Sequence, residues 1–168
     1  MRATQAVLLI ALGLLAAPTL QQQADDGHSK TSDKFYDLSQ ETFDTLVVNP
    51  ATNKLLDGPW FIMFYAPWCG HCKRLMPIMD EFAEELSDGE RVKVGRVNCD
   101  EGNNSNLCTA YDVSGYPTVL YLNGDHFYEY RSARSIEGFK KFIFENEYEK
   151  AESDVIPLKL SGVALYQK

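Results

Sequence analysis

Residues 61–77, FIMFYAPWCGHCKRLMP, constrain this chain more than any other stretch. The run Trp60–Tyr65 has the bulky, aromatic content of a buried strand. Ala66-Pro67 interrupts it, and Trp68-Cys69-Gly70-His71-Cys72 opens a new segment. There Leu75, Ile78, Met79, Phe82 and Leu86 recur at intervals of three and four, the mark of one buried helical face. Pro77 lies inside this segment; the periodicity continues past it, so a kink rather than an end is expected. Cys69 therefore stands where a strand gives way to a helix. Cys72, three residues on, is close enough across the first turn for the two sulfurs to bond.

That position dictates a chemistry. The free N–H groups and positive dipole end of a helix stabilise an anion. A thiolate is the nucleophile of disulfide exchange, so lowering the pKa of Cys69 makes it reactive near neutral pH. His71 can add positive charge, and Lys73 and Arg74 follow. Stabilising the thiolate stabilises the reduced dithiol and makes the disulfide a better oxidant. Cys69 is the candidate attacking thiol, and Cys72, deeper in the helix, the candidate resolving thiol. Three plainer readings fit less well. A two-residue loop removes little unfolded-state entropy, so the pair is a poor staple. A zinc site needs a second ligand pair, and the spacing of Cys99 and Cys108 is unlike one. Covalent haem requires histidine after the second cysteine, where this chain has Lys73. No metal is expected.

The segment Phe64–Lys73 resembles the active site of the protein disulfide isomerase family, within the thioredoxin superfamily. The resemblance runs from about Lys34 to Glu147, giving a domain over residues 34–147. It implies an α/β thioredoxin fold, a central mixed β-sheet flanked by helices on both faces. It also implies a thiol-disulfide oxidoreductase, or protein disulfide isomerase, that acts on folding proteins of the secretory pathway with no metal or organic cofactor. Its partners would be unfolded or misfolded secretory proteins, with glutathione or an upstream thiol oxidase supplying redox equivalents. The Gly70-His71 dipeptide is similar to that of the oxidising members of the superfamily and would tune the cysteine pKa. Gly115-Tyr116-Pro117-Thr118 resembles the cis-proline loop, where Tyr116 and Pro117, with Trp68, would dock an extended peptide. Arg134 aligns with a family arginine that approaches the resolving cysteine; the plainer reading is a solvated surface charge.

Cys99 and Cys108 flank the polar loop 100–107. In an oxidising lumen they read as a structural disulfide, as some domains of the family carry, with a second redox pair as the alternative. Inside that loop Asn103-Asn104-Ser105 is a glycosylation acceptor pattern. One departure stands out: the position where many family members bury an acid that shuttles the Cys72 proton is Met63. Arg96, the expected basic partner of that acid, is then expected to lack its pair.

The rest of the chain supports one domain. Its 168 residues are 45% hydrophobic and 12% aromatic, enough for a packed core. The net charge of −8, with no basic block, argues against nucleic-acid binding. Residues 1–24 read as a secretory signal peptide: one arginine, a short apolar run from Val7 to Ala17, and cleavage between 17 and 24. The run is shorter than the ~20 residues that span a bilayer. Residues 25–33 read as a flexible lead-in. After it the expected order is β-α-β-α-β-α-β-β-α. Ser39 and Ser135 cap helices, Asn49-Pro50 and Asp57-Gly58-Pro59 bracket a loop, and Asn123-Gly124 turns a hairpin. Residues 148–168 read as an acidic, irregular tail with no membrane span and no Lys-Asp-Glu-Leu-type retention signal. The expected location is the endoplasmic reticulum lumen, with retention by a partner; secretion, or continuation into a longer protein, are the alternatives. Two other functions compete: a redox-weak, chaperone-like substrate-binding module, which Met63 favours, and a dedicated reductase.

Overall fold

The computed structural model describes residues 33–86, 90–157, and the backbone of 159–160 and 163–164. The expected signal peptide and its cleavage site lie outside the described residues, as does the lead-in apart from Asp33.

Strand β4 (Trp60–Tyr65) is the centre of the molecule. It lies parallel to β5 (Lys93–Asn98) on one side and antiparallel to β6 (Thr118–Asn123) on the other. Outside β5 runs β1 (Phe35–Leu38), also parallel. Outside β6 come β7 (His126–Glu129) and then β8 (Ser153–Val155), both antiparallel. The six-stranded sheet is therefore mixed, in the order β1-β5-β4-β6-β7-β8.

Side-chain alternation along β4 divides the core into two halves. Phe61 and Met63 face α2 (Gly70–Glu85) and α4 (Ile136–Phe144), packing with Leu75, Met79, Phe82, Phe139 and Phe142. Trp60, Ile62 and Phe64 face α1 (Gln40–Leu46) and α3 (Asn104–Ala110), packing with Phe43 and Leu107. Both faces of the strand are dry, which explains its unbroken apolar sequence. Phe61 is the hub of the first half, with ring centroids 5.8 Å from Phe82, 5.7 Å from Tyr130 and 5.1 Å from Phe139. Full burial of each such ring contributes roughly 1.5–3 kcal/mol. The expected fold, a mixed sheet with helices on both faces, is the observed one.

Local sequence sets the helix ends. Ser39 caps α1 in a capping box with Thr42, and the Ser135 hydroxyl accepts the Gly138 N–H at 3.2 Å to start α4. Helix α2 continues through Pro77 to Glu85.

Three features differ from the sequence-based expectation. The bracketed loop before β4 contains a two-residue hairpin, β2 (Val48–Asn49) with β3 (Lys54–Leu55), too short to show any alternation. The β6–β7 turn is Gly124-Asp125, one residue later than expected, because Asn123 still pairs with His126 and Gly124 takes the positive φ of 65°. The start of the expected irregular tail belongs to the fold. A 3-10 turn (Glu147–Lys150) stacks Tyr148 5.0 Å from both Tyr121 and Tyr128. Strand β8 then extends the sheet, and Ile156 is buried with its N–H on the Asp125 carbonyl at 2.9 Å. Residues 153–155 are all exposed, so main-chain pairing holds this edge strand and leaves no hydrophobic pattern to read. Beyond it β9 (Lys159–Leu160) pairs antiparallel with β10 (Val163–Ala164). Among the described residues no helix is long and apolar enough to cross a membrane.

Candidate active site

Cys69 is the N-cap of α2. Its backbone is extended (φ −76°, ψ 110°), and its Sγ takes the place of the usual capping oxygen, accepting the Cys72 N–H at 3.2 Å. The Ala66-Pro67 break makes this possible: it ends β4 and lets the chain enter the helix within four residues. Both thiols are free and both residues buried, Cys69 at 6% exposure and Cys72 at 1%.

The environment pushes the two pKa values apart. Burial works against ionising Cys69, but the Cys72 thiol, the N–H groups of Cys72 and His71, and the charge of Arg134 outweigh it and hold Cys69 below its ordinary value. Burial pushes Cys72 up to about 12, and its contact with Cys69 adds to the rise while Arg134 opposes it. Ionisation is thus favoured at Cys69 and opposed at Cys72.

The other predicted residues gather around this pair. Arg134 is exposed on the loop before α4 and acts on both sulfurs through its charge. That loop is fixed by the Tyr130 hydroxyl, which donates to the Ala133 carbonyl, and by Gly138, where a Cβ would meet that same carbonyl at 2.4 Å. His71 contributes through its main chain. Its N–H supports Cys69, while its Nδ1 lies 2.8 Å from the Arg74 guanidinium. A guanidinium only donates, so Nδ1 is the acceptor. The fixed charge over the Gly70 turn is that of Arg74, 3.9 Å from where a Gly70 Cβ would sit. Trp68 is 70% exposed and makes an edge contact with Tyr116 at 5.8 Å. Its Nε1 donates to Asp100 at 2.5 Å. The Tyr116–Pro117 peptide is cis, and the β4–β6 ladder ends at Phe64–Thr118, leaving Tyr116 beyond it.

Cys99 and Cys108 are joined in a disulfide, with Cα atoms 6.0 Å apart. Inside the closed loop Asn104 is 4% exposed, accepting the Gln40 N–H at 2.8 Å and donating to the Asn98 carbonyl at 2.9 Å. This link between α1 and β5 has no signal in sequence, because a buried asparagine looks like any other loop asparagine.

One expectation is overturned. Met63 is fully buried in the same cluster as Cys69 and Cys72, but Arg96 does not lack a partner. Its Nε and Nη2 bind the Asp37 carboxylate at 2.5 and 2.9 Å, and its guanidinium lies 5.0 Å from the Phe35 ring. Asp37 and Met63 flank Arg96 in register from opposite strands. The partner of Arg96 therefore comes from β1, through an exposed carboxylate, a pairing that reading β4 alone misses. Among the described residues no group of three or more His, Cys, Asp or Glu could hold a metal. A cavity of about 440 Å³ lined by Lys54, Leu55, Pro59, Asn123 and Asp125 lies at the far ends of β4 and β6 from Cys69 and shares none of these residues.

Residues 34–145 match the family model described as Thioredoxin. The chain is 36% identical over 132 residues to "Protein disulfide-isomerase 1" of Dictyostelium discoideum, covering 74% of this chain and 34% of that protein. It is 32% identical over 116 residues to "Protein disulfide-isomerase 5-1" of Arabidopsis thaliana, covering 68% of this chain and 74% of the relative. Among solved structures, the first thioredoxin domain of mouse "Protein disulfide-isomerase A4" superposes with a TM-score of 0.55 at 28% identity, covering 77% of this chain and 86% of that one. The J-Trx1 fragment of ERdj5 gives 0.56 at 30% identity, covering 68% and 50%. The chain thus spans about a third of the Dictyostelium protein and most of the Arabidopsis one. It belongs to the thioredoxin family, among the relatives of the protein disulfide isomerases.

Proposed function

We propose that this protein is a thiol-disulfide oxidoreductase of the protein disulfide isomerase kind, working on folding proteins through Cys69 and Cys72. Membership of the family supports the general chemistry. The observation that carries the assignment of roles is the opposed tuning of two adjacent thiols, with Cys69 lowered at the helix N-cap and Cys72 raised.

In oxidation, a substrate thiolate attacks Cys69 Sγ of the Cys69–Cys72 disulfide; the S–S bond breaks, and Cys72 leaves as a thiolate and takes up a proton. A second substrate thiolate then attacks the substrate sulfur of the mixed disulfide, and Cys69 leaves as the thiolate its surroundings stabilise. In isomerisation, the Cys69 thiolate attacks a substrate disulfide directly. If the substrate stalls, Cys72 loses its proton, attacks Cys69 and releases it. Trp68, Tyr116 and the bend at Pro117 form the rim against which an extended peptide would lie. Gly70, His71, Arg74 and Arg134 set the electrostatics. The endoplasmic reticulum lumen is the proposed compartment, with secretion as the alternative. The sequence of residues 1–24 and the Cys99–Cys108 bond support an oxidising environment.

The test is refolding of a reduced and a scrambled disulfide protein in a glutathione buffer, with Cys69→Ser and Cys72→Ser alongside. Catalysis lost in Cys69→Ser, with mixed disulfides accumulating in Cys72→Ser, is the expected pattern. Catalysis that survives Cys69→Ser overturns the assignment. Fully buried Met63 favours a second reading, a binding module with weak redox activity. That module would suppress substrate aggregation equally well with and without Cys69.

A further inference from the structure

The loop closed by Cys99–Cys108 holds two consecutive asparagines with opposite roles. Asn104 is buried and engaged on both sides of its amide. Asn103 is exposed; it precedes α3, yet its side chain makes no capping bond. Ser105 is exposed as well. Asn103-Asn104-Ser105 is an acceptor pattern for N-linked glycosylation, and its middle residue is not proline. The pattern thus presents its acceptor amide to solvent, while the asparagine that the fold needs sits in the middle position, which the transfer ignores.

We propose that Asn103 carries an N-linked glycan, placed beside the substrate rim of the dithiol site. The donor is an oligosaccharide on a lipid diphosphate, as secretory compartments supply. Asn103 Nδ2 attacks C1 of the first sugar; the C1–O bond breaks, the lipid diphosphate leaves, and Nδ2 gives up one proton. The modification precedes folding, so the folded chain must leave room for it, and it does so at Asn103 but not at Asn104. Its position follows from the loop. Asp100, three residues before Asn103, accepts the Trp68 indole N–H. Three residues of chain span at most about 11 Å. The glycan is therefore rooted next to the exposed Trp68 edge and screens it from bulky partners.

This inference rests on the secretory reading above, and the test separates the two. The full chain is expressed in a eukaryotic secretory system with Asn103→Gln and Ser105→Ala, and each is analysed by mass before and after peptide N-glycosidase. Protease protection in intact microsomes and N-terminal sequencing are run on the same preparations. The expected result is one added mass, removed by the glycosidase and absent from both variants. A protected, processed chain with no added mass overturns the glycan and leaves the compartment standing. A protease-accessible, unprocessed chain with no added mass overturns both. The screening has its own readout: Asn103→Gln reacts faster than the glycosylated chain with a large folded disulfide protein and equally fast with glutathione disulfide. Equal rates on both substrates overturn the screening.

Discussion

Replacing Met63 with glutamate puts a carboxyl into the buried wall behind the two cysteines. Met63 is fully buried, shares a cluster with Cys69 and Cys72, and sits in register with Arg96. Burial, with the contact to Cys69, pushes Cys72 up to about 12, so at pH 7 only a small fraction of this thiol is ionised. Burial, the leading cause, persists when Cys69 is tied up with substrate. Release of a mixed disulfide draws on that ionised fraction, so in the natural chain its rate rises about tenfold per pH unit through the neutral range. A carboxylate at position 63 can take the proton as Cys72 attacks, and general bases typically contribute ~10²–10⁴-fold. The change also costs stability: a buried charge without its partner costs about 3–5 kcal/mol. Arg96 across the register offsets part of that, in competition with Asp37. The assay forms a glutathione mixed disulfide on Cys69 at low pH, jumps to pH 7 and follows glutathione release. Circular dichroism checks the fold, and Met63→Gln serves as a control that cannot take a proton. Release at least about 10²-fold faster in Met63→Glu, with a flattened pH profile and no gain in Met63→Gln, is expected. Unchanged or slower release in the glutamate variant, or equal acceleration in both, refutes the reasoning.

Three further outcomes follow from the same contacts. Arg134→Gln moves the pH midpoint of Cys69 alkylation upward, because a charge that favours the thiolate is gone, while Arg134→Lys keeps most of the effect; an unmoved midpoint would make Arg134 an ordinary surface charge. Ile156→Ala, at a site 2% exposed, lowers urea stability by about 2–5 kcal/mol; a loss under about 0.5 kcal/mol would detach β8 from the domain. The double variant Cys99→Ala/Cys108→Ala opens a loop of sequence separation 9 and costs about 2–3 kcal/mol while keeping dithiol activity; lost activity at unchanged stability would point to a second redox pair.

What the sequence revealed and what it hid have a common cause. The β4–α2 stretch was legible because a fully buried strand, a Pro break and a helical stripe each leave a periodic trace, and the cysteines fall at their junction. The cis peptide before Pro117 and the nearness of Arg134 were expected only through resemblance, since nothing local in Tyr116-Pro117 or Ser132-Ala133-Arg134 announces them. Strand β8 escaped because an exposed three-residue edge strand is held by main-chain pairing alone. The partners of Arg96 and Trp68 escaped because Asp37 and Asp100 lie 59 and 32 residues away in the chain. Long-range polar pairs are set by the register of strands and the path of loops, which a single sequence does not display.

The central claim is that the site poises Cys69 and Cys72 for disulfide donation and exchange rather than for reduction. The most direct measurement is the redox potential of that pair, by equilibration with glutathione in the Cys99→Ala/Cys108→Ala background so that only one dithiol reports. A potential near −180 mV, the level of protein disulfide isomerase, is the predicted result. A potential near −270 mV, the thioredoxin level, would contradict the claim and make the protein a reductase.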